Sequence, residues 1–499
     1  MINGFPKLYK VTLRLFAYHL QTGSLTNTDR IHLSRSDIQA YYEVLLRDYH
    51  ASDSQGSPLQ VQWRSEQPQA QAFDLLEIQA DRNRQIQHFI LAWLPPIKGF
   101  FYPQLFDDSY IGSFTFYLPD LSGKDGLTLA ELQTLKPSIH YFSGTTVSAK
   151  DNLEEQKRCQ VLRTSFLGKT LILSAQLREE PEDLTEFAQI CLLSFLGFPS
   201  VEAAPPLRNR WRCFKGYVYE FCSPEPDEYY GKIWLFLTFR QESITKLDRT
   251  QLELAELFFY DHKNWRNHED SQGEYQKGLE NINKIEQIVQ GFTSGIYDDK
   301  SADLCPVKLD QLKGNLKILL NISLSYSQNL RSLSDFHKMI DWHRENYEQK
   351  IIYIENITDS NLTSTLKLAD RQFRKFQQQI TANLTYLAEG ARLLDTAIAT
   401  IRGLVEIEQA ESDRKLQQQN QDLQDHIQAI GTGIGAGAIA GSSSTLIFKQ
   451  QAMTFPFFSK HPGAYPHPFV IAVLLSFGFA IIFWAMAKWS LPRILPKKR

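Results

Sequence analysis

Two stretches near the C-terminal end decide how this chain is read: Ile427–Phe448, IQAIGTGIGAGAIAGSSSTLIF, and Phe469–Ala487, FVIAVLLSFGFAIIFWAMA. Each comes close to the ~20 apolar residues that cross a bilayer core. Between them, Lys449–Pro468 is short and rich in Pro, His and aromatic residues. A backbone in hydrocarbon must satisfy its own hydrogen bonds, and a helix does so within one segment. The pair predicts a hairpin of two transmembrane helices, with membrane lipids as its surroundings.

Basic residues orient that hairpin. Lys488, Arg493, Lys497, Lys498 and Arg499 follow the second segment, whereas the connecting loop holds only Lys449 and Lys460. Lys and Arg near membrane ends favour the cytosolic side. A basic tail at 488–499 inside the cell, after two crossings, places the large N-terminal part inside as well. The expectation is a multi-pass membrane protein with cytosolic N- and C-termini. Lys497, Lys498 and Arg499 also suit acidic headgroups, although topology alone accounts for them.

Working backward from the hairpin, the next signal is a heptad pattern. Leu319, Tyr326, Leu333, Ile340, Tyr347 and Ile354 recur every seven residues, with Ile322, Phe336 and Ile357 flanking them. A second register runs Leu366, Phe373, Ile380, Leu387, Leu394 and Ile401, joined by Leu362, Phe376, Leu384, Ile398 and Val405. Such stripes bury one helix edge against other helices, in the same chain or between subunits. The break at Thr358–Asn361 suits a turn between two long antiparallel helices over 307–426. From Asn361 to His426 the second would reach about 100 Å at 1.5 Å per residue, the length of a stalk. The apolar stripe fails after Val405, and Glu406–His426 keeps only Ile407, Leu416 and Leu423 as large apolar residues. Gly390 and Gly403 are either hinges, since a mid-helix Gly weakens a helix by about 1 kcal/mol, or points of close packing.

Farther upstream the pattern changes to strands and shorter helices. Leu8–Leu20 alternates with Val11, Leu13, Leu15 and Ala17 on one face, the period of a strand. Ser36–Tyr49 opens on a capping residue and reads as a helix. Strand-like runs recur at Phe73–Ile78, Ile86–Leu94, Ser113–Leu118, Thr170–Leu177, Cys213–Phe221 and Lys232–Phe239. Helical patterns lie among them at Leu127–Leu135, Pro181–Leu196 and Lys246–Tyr260. This mixture predicts an α/β domain over 1–260, a connecting segment over 261–306 with a helical pattern at Gly278–Phe292, the coiled-coil stalk over 307–426, and then the hairpin helices at 427–448 and 469–487. Period alone does not give the strand order.

Bulk composition narrows the function. A formal net charge of −3 points to neither nucleic acid nor an acidic substrate. The 5 cysteines form no CxxC pair and are odd in number, which fits a reduced compartment better than a disulfide framework. Arg14 and His19 interrupt the opening residues, so no cleavable signal peptide is read there.

The stretch Gln451–Leu491 carries a family resemblance. Ala452-Met453-Thr454-Phe455 stands shortly after the first apolar segment, Tyr465-Pro466 just before the second, and Lys488-Trp489-Ser490-Leu491 at its end. This arrangement resembles the CorA-type magnesium channel family, with its Gly-Met-Asn signature, short loop, Tyr-Pro and basic finish. The larger plan is similar too: an N-terminal α/β domain, a long stalk helix entering the membrane, and both termini inside. The resemblance implies a homo-oligomer, joined through the stalk and first membrane helix, that passes a divalent cation as substrate or answers to one as regulator. Here Ala452 and Thr454 replace two of the three signature residues. In the family the Asn carbonyls are implied to hold a hydrated cation at the outer mouth. Thr454 offers a hydroxyl with a shorter reach.

Candidate ion-path residues follow. Gly433, Gly437 and Gly441 recur every four residues, a spacing that lets helix backbones approach closely in lipid. Ser442, Ser443, Ser444 and Thr445 offer hydroxyls either to a wet lumen or back to their own helix carbonyls. Asp422 and Asp425, at the inner boundary, would form acidic rings in a symmetric oligomer or serve as an ordinary solvated helix end. Met453 and Thr454 would guard the outer mouth. His461 and His467 are six apart in a Pro-rich loop, which is no metal-ligand spacing.

Enzymatic signals are weak. Leu167-Gly168-Lys169-Thr170 resembles the end of a phosphate-binding loop, but Arg163 stands where the earlier Gly belongs and a strand follows. His337 and His343 lack the i,i+4 spacing of a zinc-protease helix. No catalytic residue, cofactor or resident metal is read from the sequence. The aromatic runs Tyr217–Phe221 and Trp234–Phe239 read as sheet core, although the α/β domain remains a place for a small-molecule or protein ligand. The sequence thus predicts a CorA-like cation channel or transporter gated by its cytosolic domain. The alternative is a membrane-anchored signalling protein whose hairpin assembles without conducting.

Overall fold

The computed structural model describes residues 5–23, 31–48, 51–52, 56–64, 72–76, 87–91, 97–118, 126–134, 161–162, 164–198, 204–221, 231–297, 306–447 and 468–494. Among them the strands are β1 (Leu8–Leu20), β2 (Thr22–Gly23), β3 (Ile31–His32), β4 (Ala51–Ser52), β5 (Ala72–Asp74), β6 (Gln87–Leu91), β7 (Ile97–Phe106), β8 (Ser109–Tyr117), β9 (Phe166–Leu177), β10 (Leu207–Cys213), β11 (Gly216–Phe221) and β12 (Lys232–Thr238). The helices are α1 (Arg35–Asp48), α2 (Leu129–Thr134), α3 (Leu184–Leu196), α4 (Gln241–Arg249), α5 (Gln251–Tyr297), α6 (Pro306–Thr358), α7 (Thr363–Ile447) and α8 (Pro468–Ile494). The chain divides into two compact units, one formed by Met1–Ile282 with Ser325–Gly390, the other by Asn283–Leu324 with Ala391–Arg499.

The first unit is built on a sheet ordered β10-β11-β12-β9-β1-β8-β7-β6-β4, with β5 pairing β7 off that path. Neighbours are antiparallel except β9 and β12, which run parallel. β1 sits at the centre, and its alternation decides what lies on each face. Leu13, Leu15 and Ala17 join one core with Tyr41 and Tyr42 of α1 and with Phe187 and Phe195 of α3. Phe16 and Tyr18 turn the other way, Phe16 stacking on Phe258 of α5 at 6.2 Å and the Tyr18 hydroxyl donating to the Ala255 carbonyl at 2.9 Å. Helices therefore cover both faces, which is why nearly every residue of β1 is buried rather than every second one. Arg14 is fully buried on the α4 side, donating to Ser174 Oγ at 2.9 Å and pairing with Asp248.

Several local choices are legible. Asp183 caps α3 by accepting from the backbone N–H groups of Thr185 and Glu186, and Gly197 ends it in the left-handed region at φ 72°. Phe214 and Lys215 both take positive φ in the two-residue turn of the β10–β11 hairpin, so the run Cys213–Phe221 holds a strand end, a turn and a strand. β7, absent from the sequence reading, contains Pro103 opposite Gly112.

Where the sequence reading places a connecting segment over 261–306, α5 continues without a break to Tyr297. In the first unit α5 and α6 run antiparallel, Lys350 pairing with Glu256 at one end and Asn329 Nδ2 donating to Glu274 at 2.7 Å nearer the other. The turn after Thr358 reverses the chain, and Asn361 Oδ1 accepts from the Thr363 backbone at the start of α7. α7 then returns along α6, through Arg344–Asp370 at 3.2 Å and the Tyr326 hydroxyl on the Leu387 carbonyl at 2.5 Å. The heptad residues Tyr326, Leu333, Ile340, Tyr347 and Ile354 are all buried, as are Phe373, Ile380 and Leu387.

The second unit has its own small core, with Ile285, Leu312, Leu319, Ile322, Leu394, Ala397 and Ile401 buried. From Gln409 to Gln428 every residue of α7 is exposed. Burial resumes with Ala429, Gly433 and Gly437, where α7 meets α8. Among the described residues no helix is long and apolar enough to cross a membrane. In α8, whose backbone is helical throughout Pro468–Ile494, the side chains are described without interruption only from Ala472 to Met486.

Candidate functional site

Two places in the chain hold residues with chemical potential, one in each unit. In the second unit, α7 and α8 form an antiparallel pair through small residues. A Cβ at Gly433 would lie 3.0 Å from the Ala480 carbonyl oxygen and 3.2 Å from the Trp484 Cβ. A Cβ at Gly437 would lie 3.0 Å from the Ser476 carbonyl oxygen and 3.1 Å from the Ala480 Cβ. Ser476 Oγ donates to the Gly437 carbonyl at 2.5 Å. Gly433 and Gly437 on one helix thus meet Ser476, Ala480 and Trp484 on the other, each set spaced by four. The small-residue spacing expected to bring helices together does so within one chain. Outside this seam the pair exposes large apolar side chains: Ile427, Ile430, Ile434 and Ile439 on α7, and Leu474, Phe477, Ile481 and Ile482 on α8 are each at least 50% exposed.

The remaining predicted residues fall as follows. Asp422 and Asp425 are exposed on α7. The Ser442 hydroxyl donates to the Ile439 carbonyl at 3.0 Å, the back-bonding alternative to facing a lumen. Gly441, Ser443 and Thr445 belong to the helical backbone of α7, and their side chains lie outside the described residues. Met453, Thr454, His461, His467 and the Tyr465-Pro466 pair lie outside the described residues altogether.

In the first unit, sequence reasoning missed a cavity of about 240 Å³ between the β10–β12 edge of the sheet and helices α5, α6 and α7. Strand alternation creates its floor. Ile233, Leu235 and Leu237 of β12 point into the main core, so Lys232 and Trp234 turn to the opposite face. Register then lines up Asn209, Glu220 and Trp234 across three adjacent strands. Lys232 Nζ lies 2.7 Å from Asp261 Oδ2 and 3.3 Å from Glu220 Oε1, with all three side chains buried or nearly so. Glu220 also accepts from Asn209 Nδ2 at 2.7 Å and Trp234 Nε1 at 3.4 Å. Asp261 and Trp265, four apart on α5, supply one wall, and Thr365, Leu368, Ala369 and Gln372 on the first turns of α7 supply another. Tyr347 of α6 closes the space, its hydroxyl pKa raised by burial, with Lys232 opposing the rise. Arg208 and Arg371 are exposed at the opening, Arg208 with its guanidinium 5.8 Å from the Trp265 ring centre. The alternation at 232–238 was the available signal: a lysine and a tryptophan on the face turned away from the core.

No group of three or more His, Cys, Asp or Glu suited to a metal ion occurs among the described residues. The Gly168–Thr170 stretch lies in β9, and Thr170 Oγ1 is hydrogen-bonded to His262, so it forms no phosphate loop.

No family model matches the chain, and no curated protein matches it. Among solved structures, the full-length CmaX protein is similar at 16% identity over 64% of this chain and 88% of that one, with a TM-score of 0.16. A superposition at that score carries no argument about fold or function.

Proposed function

We propose that this chain is a divergent CorA-like membrane protein whose copies assemble around α7 to pass cations, with α8 on the outside of the assembly. The observation that carries the reading is the distribution of side chains around α7 beyond Leu416. At about 100° per residue, and with the α8-facing Gly433 as origin, Leu416, Leu423, Ile427, Ile430 and Ile434 fall on one flank, roughly 60–120° away. Gln417, Gln424, Gln428, Gly431 and Gly435 fall roughly 140–220° away, on the side opposite α8. All of these residues are exposed in the single chain. An exposed run of isoleucine and leucine at three- and four-residue spacing is an unmet helix–helix seam. A stripe of glutamines and small residues opposite the second helix is what a wet axis requires.

The outer apolar surface of the pair is in keeping with lipid. The 27 residues of α8 run about 40 Å at 1.5 Å per residue, while its described side chains alone do not amount to a full apolar span. On this reading Gly433 and Gly437 serve the α7–α8 contact rather than the path. Asp422 lies on the α8 side and Asp425 on the flank opposite the apolar seam, so both act as charge at the inner mouth. The first unit, through the α7 helix it shares with the second, would bias opening only if some ligand binds one state better than the other.

The test is cation flux into liposomes containing the full-length chain, read by an entrapped magnesium indicator and repeated with other divalent and monovalent cations. Flux is expected, and Gly435→Leu should occlude it while the oligomer persists by cross-linking. Absence of flux for every cation, with the protein inserted and assembled, would instead establish the non-conducting anchor, the reading that Ala452 and Thr454 in place of the signature Gly and Asn favour.

A further inference from the structure

The cavity between β10–β12 and the three helices has no role in the membrane reading, and it is built entirely from residues of the first unit. Its composition is selective. Trp211, Trp234 and Trp265 contribute aromatic surface, and Trp211 and Trp234 meet edge to face at 5.3 Å. Aromatic walls of this kind accept a flat ring by stacking. Around that apolar surface the charged groups are three cations, Arg208, Lys232 and Arg371, against two carboxylates, Glu220 and Asp261. Lys232, on the floor, is committed to both carboxylates. The two arginines stand at the opening, exposed to solvent, where planar forks bind carboxylate or phosphate.

Two polar groups in the lining are unmet. The indole Nε1 of Trp211 and the hydroxyl of Thr365 are buried and have no hydrogen-bond partner, with Trp211 7% and Thr365 5% exposed. Buried polar atoms are paired in roughly nine cases of ten, so two in one cavity lining, Trp211 on the sheet side and Thr365 on α7, mark a space shaped for a molecule that completes them. The lining offers acceptors, from Glu220 on the floor and Asp261 on the α5 wall, together with these donors. A ring edge with both donors and acceptors fits that mixture better than a plain hydrocarbon ring does. At about 240 Å³ the cavity is somewhat smaller than the ~300–1,000 Å³ of ordinary small-molecule sites, large enough for one heteroaromatic ring system with its charged group left at the opening.

From these features we propose that the first unit binds a small anionic molecule with a heteroaromatic base, of the nucleoside monophosphate class, its base between the tryptophans and its phosphate at Arg208 and Arg371. Thr365, Leu368 and Gln372 belong to the opening turns of α7, so the bound molecule touches the helix that continues to Ile447. Binding itself does not depend on membrane insertion or conduction, and the test is chosen accordingly.

The experiment is titration of the full-length chain in detergent with AMP, followed by intrinsic tryptophan fluorescence and by calorimetry, with adenosine and inorganic phosphate as separate arms. Saturable AMP binding with a change in tryptophan emission is expected, adenosine binding more weakly and phosphate not detectably. Arg371→Ala, a change at an exposed position, should weaken AMP by tenfold or more with an unaltered melting temperature. Thr365→Val, nearly isosteric, should weaken it by about threefold to tenfold. No AMP binding at millimolar concentration by the folded chain would overturn the proposal. So would phosphate binding as tightly as AMP, or Arg371→Ala leaving the affinity unchanged. Because none of these readouts involves flux, a failed channel assay and a failed binding assay remain separate results.

Discussion

Nε2 of His262 lies 2.9 Å from the hydroxyl of Thr170, joining α5 to the strand beside the centre of the sheet. The imidazole is fully enclosed, and burial lowers its pKa to about 4, with Lys232 acting in the same direction and Asp261 against it. A depressed histidine pKa favours the neutral ring in the folded chain. The unfolded chain protonates first, below about pH 6.5, while the folded one resists until about pH 4. Stability is therefore full above about pH 6.5 and falls as pH drops toward 4, by on the order of 3 kcal/mol for this residue. His19, lowered to about 3 by burial, adds to the same trend. Denaturant melts from about pH 7 to about pH 4.5 should show this slope, reduced in His262→Gln. A flat profile would remove the neutral buried ring from the account.

Gly390 and Gly403 separate two explanations for glycine within a long helix. A Cβ at Gly390 would run into the Tyr326 hydroxyl and come within 2.7 Å of Ile282, whereas one at Gly403 would meet nothing within 4 Å. Gly390→Ala is expected to destabilise by about 1–3 kcal/mol through overpacking. Gly403→Ala should stabilise by up to about 1 kcal/mol through helix propensity. Thermal melts of the two variants decide it, and equal stabilisation by both would mean that Gly390 is not a packing position.

Arg14 is fully buried, bonded to Ser174 and paired with a partly exposed Asp248. Asp248→Ala leaves a guanidinium without its counter-charge and should cost about 3 kcal/mol, at the low end for a broken buried pair because Asp248 is 40% exposed. The double change Arg14→Met with Asp248→Ala should recover most of that loss. A double variant less stable than Asp248→Ala would mean that the arginine contributes through contacts other than the ion pair.

The α7–α8 seam predicts a cross-link. With the native cysteines replaced, Gly433→Cys and Trp484→Cys should form a disulfide, since the two Cβ positions stand 3.2 Å apart, near the ~3.5–4.5 Å of natural bridges. Adding Gly437→Leu, which forces a branched side chain against the Ser476 carbonyl, should abolish it. A cross-link that survives this third change would show that the two helices are held by something other than close backbone approach.

How much of this was legible in the residues varies by element. The strand Leu8–Leu20 and the turn after Thr358 stand where alternation and the heptad break put them, because both signals are set by which side chains must be buried. Most heptad residues of α6 and α7 are buried for the same reason, although Ile357 is exposed, Leu366 is only half-buried, and Ile351, His343 and Asn383, outside the stripe, are buried too. What periodicity left out was the helical continuity of α5 through HKNWRNHEDSQGEY, residues 262–275. That segment looks polar and irregular because the residues it buries include His262, Asn264, Asn267 and Ser271, so no apolar stripe marks the helix. β7 escaped notice because Gly99 and Pro103 interrupt its pattern. The cavity was invisible for a deeper reason. Its walls come from β10–β12, from Asp261 and Trp265 of α5 and from residues beyond 340, brought together only by the return of α6 and α7, and no local spacing encodes that meeting.

The first unit draws on two separated stretches, Met1–Ile282 and Ser325–Gly390. A ribosome must therefore release Gly390 before the first unit can receive its last helix, so Tyr260 and Trp265 of α5, which pack on Trp342 and Phe376, wait without those partners until the later helices arrive. At about 5–20 residues per second, the apolar residues from Ile427 onward follow within a few seconds. Folding of the first unit and delivery of the greasy helix pair are thus nearly simultaneous in synthesis, and a pause engineered at the point where Gly390 has just emerged from the ribosome should raise the yield of folded protein.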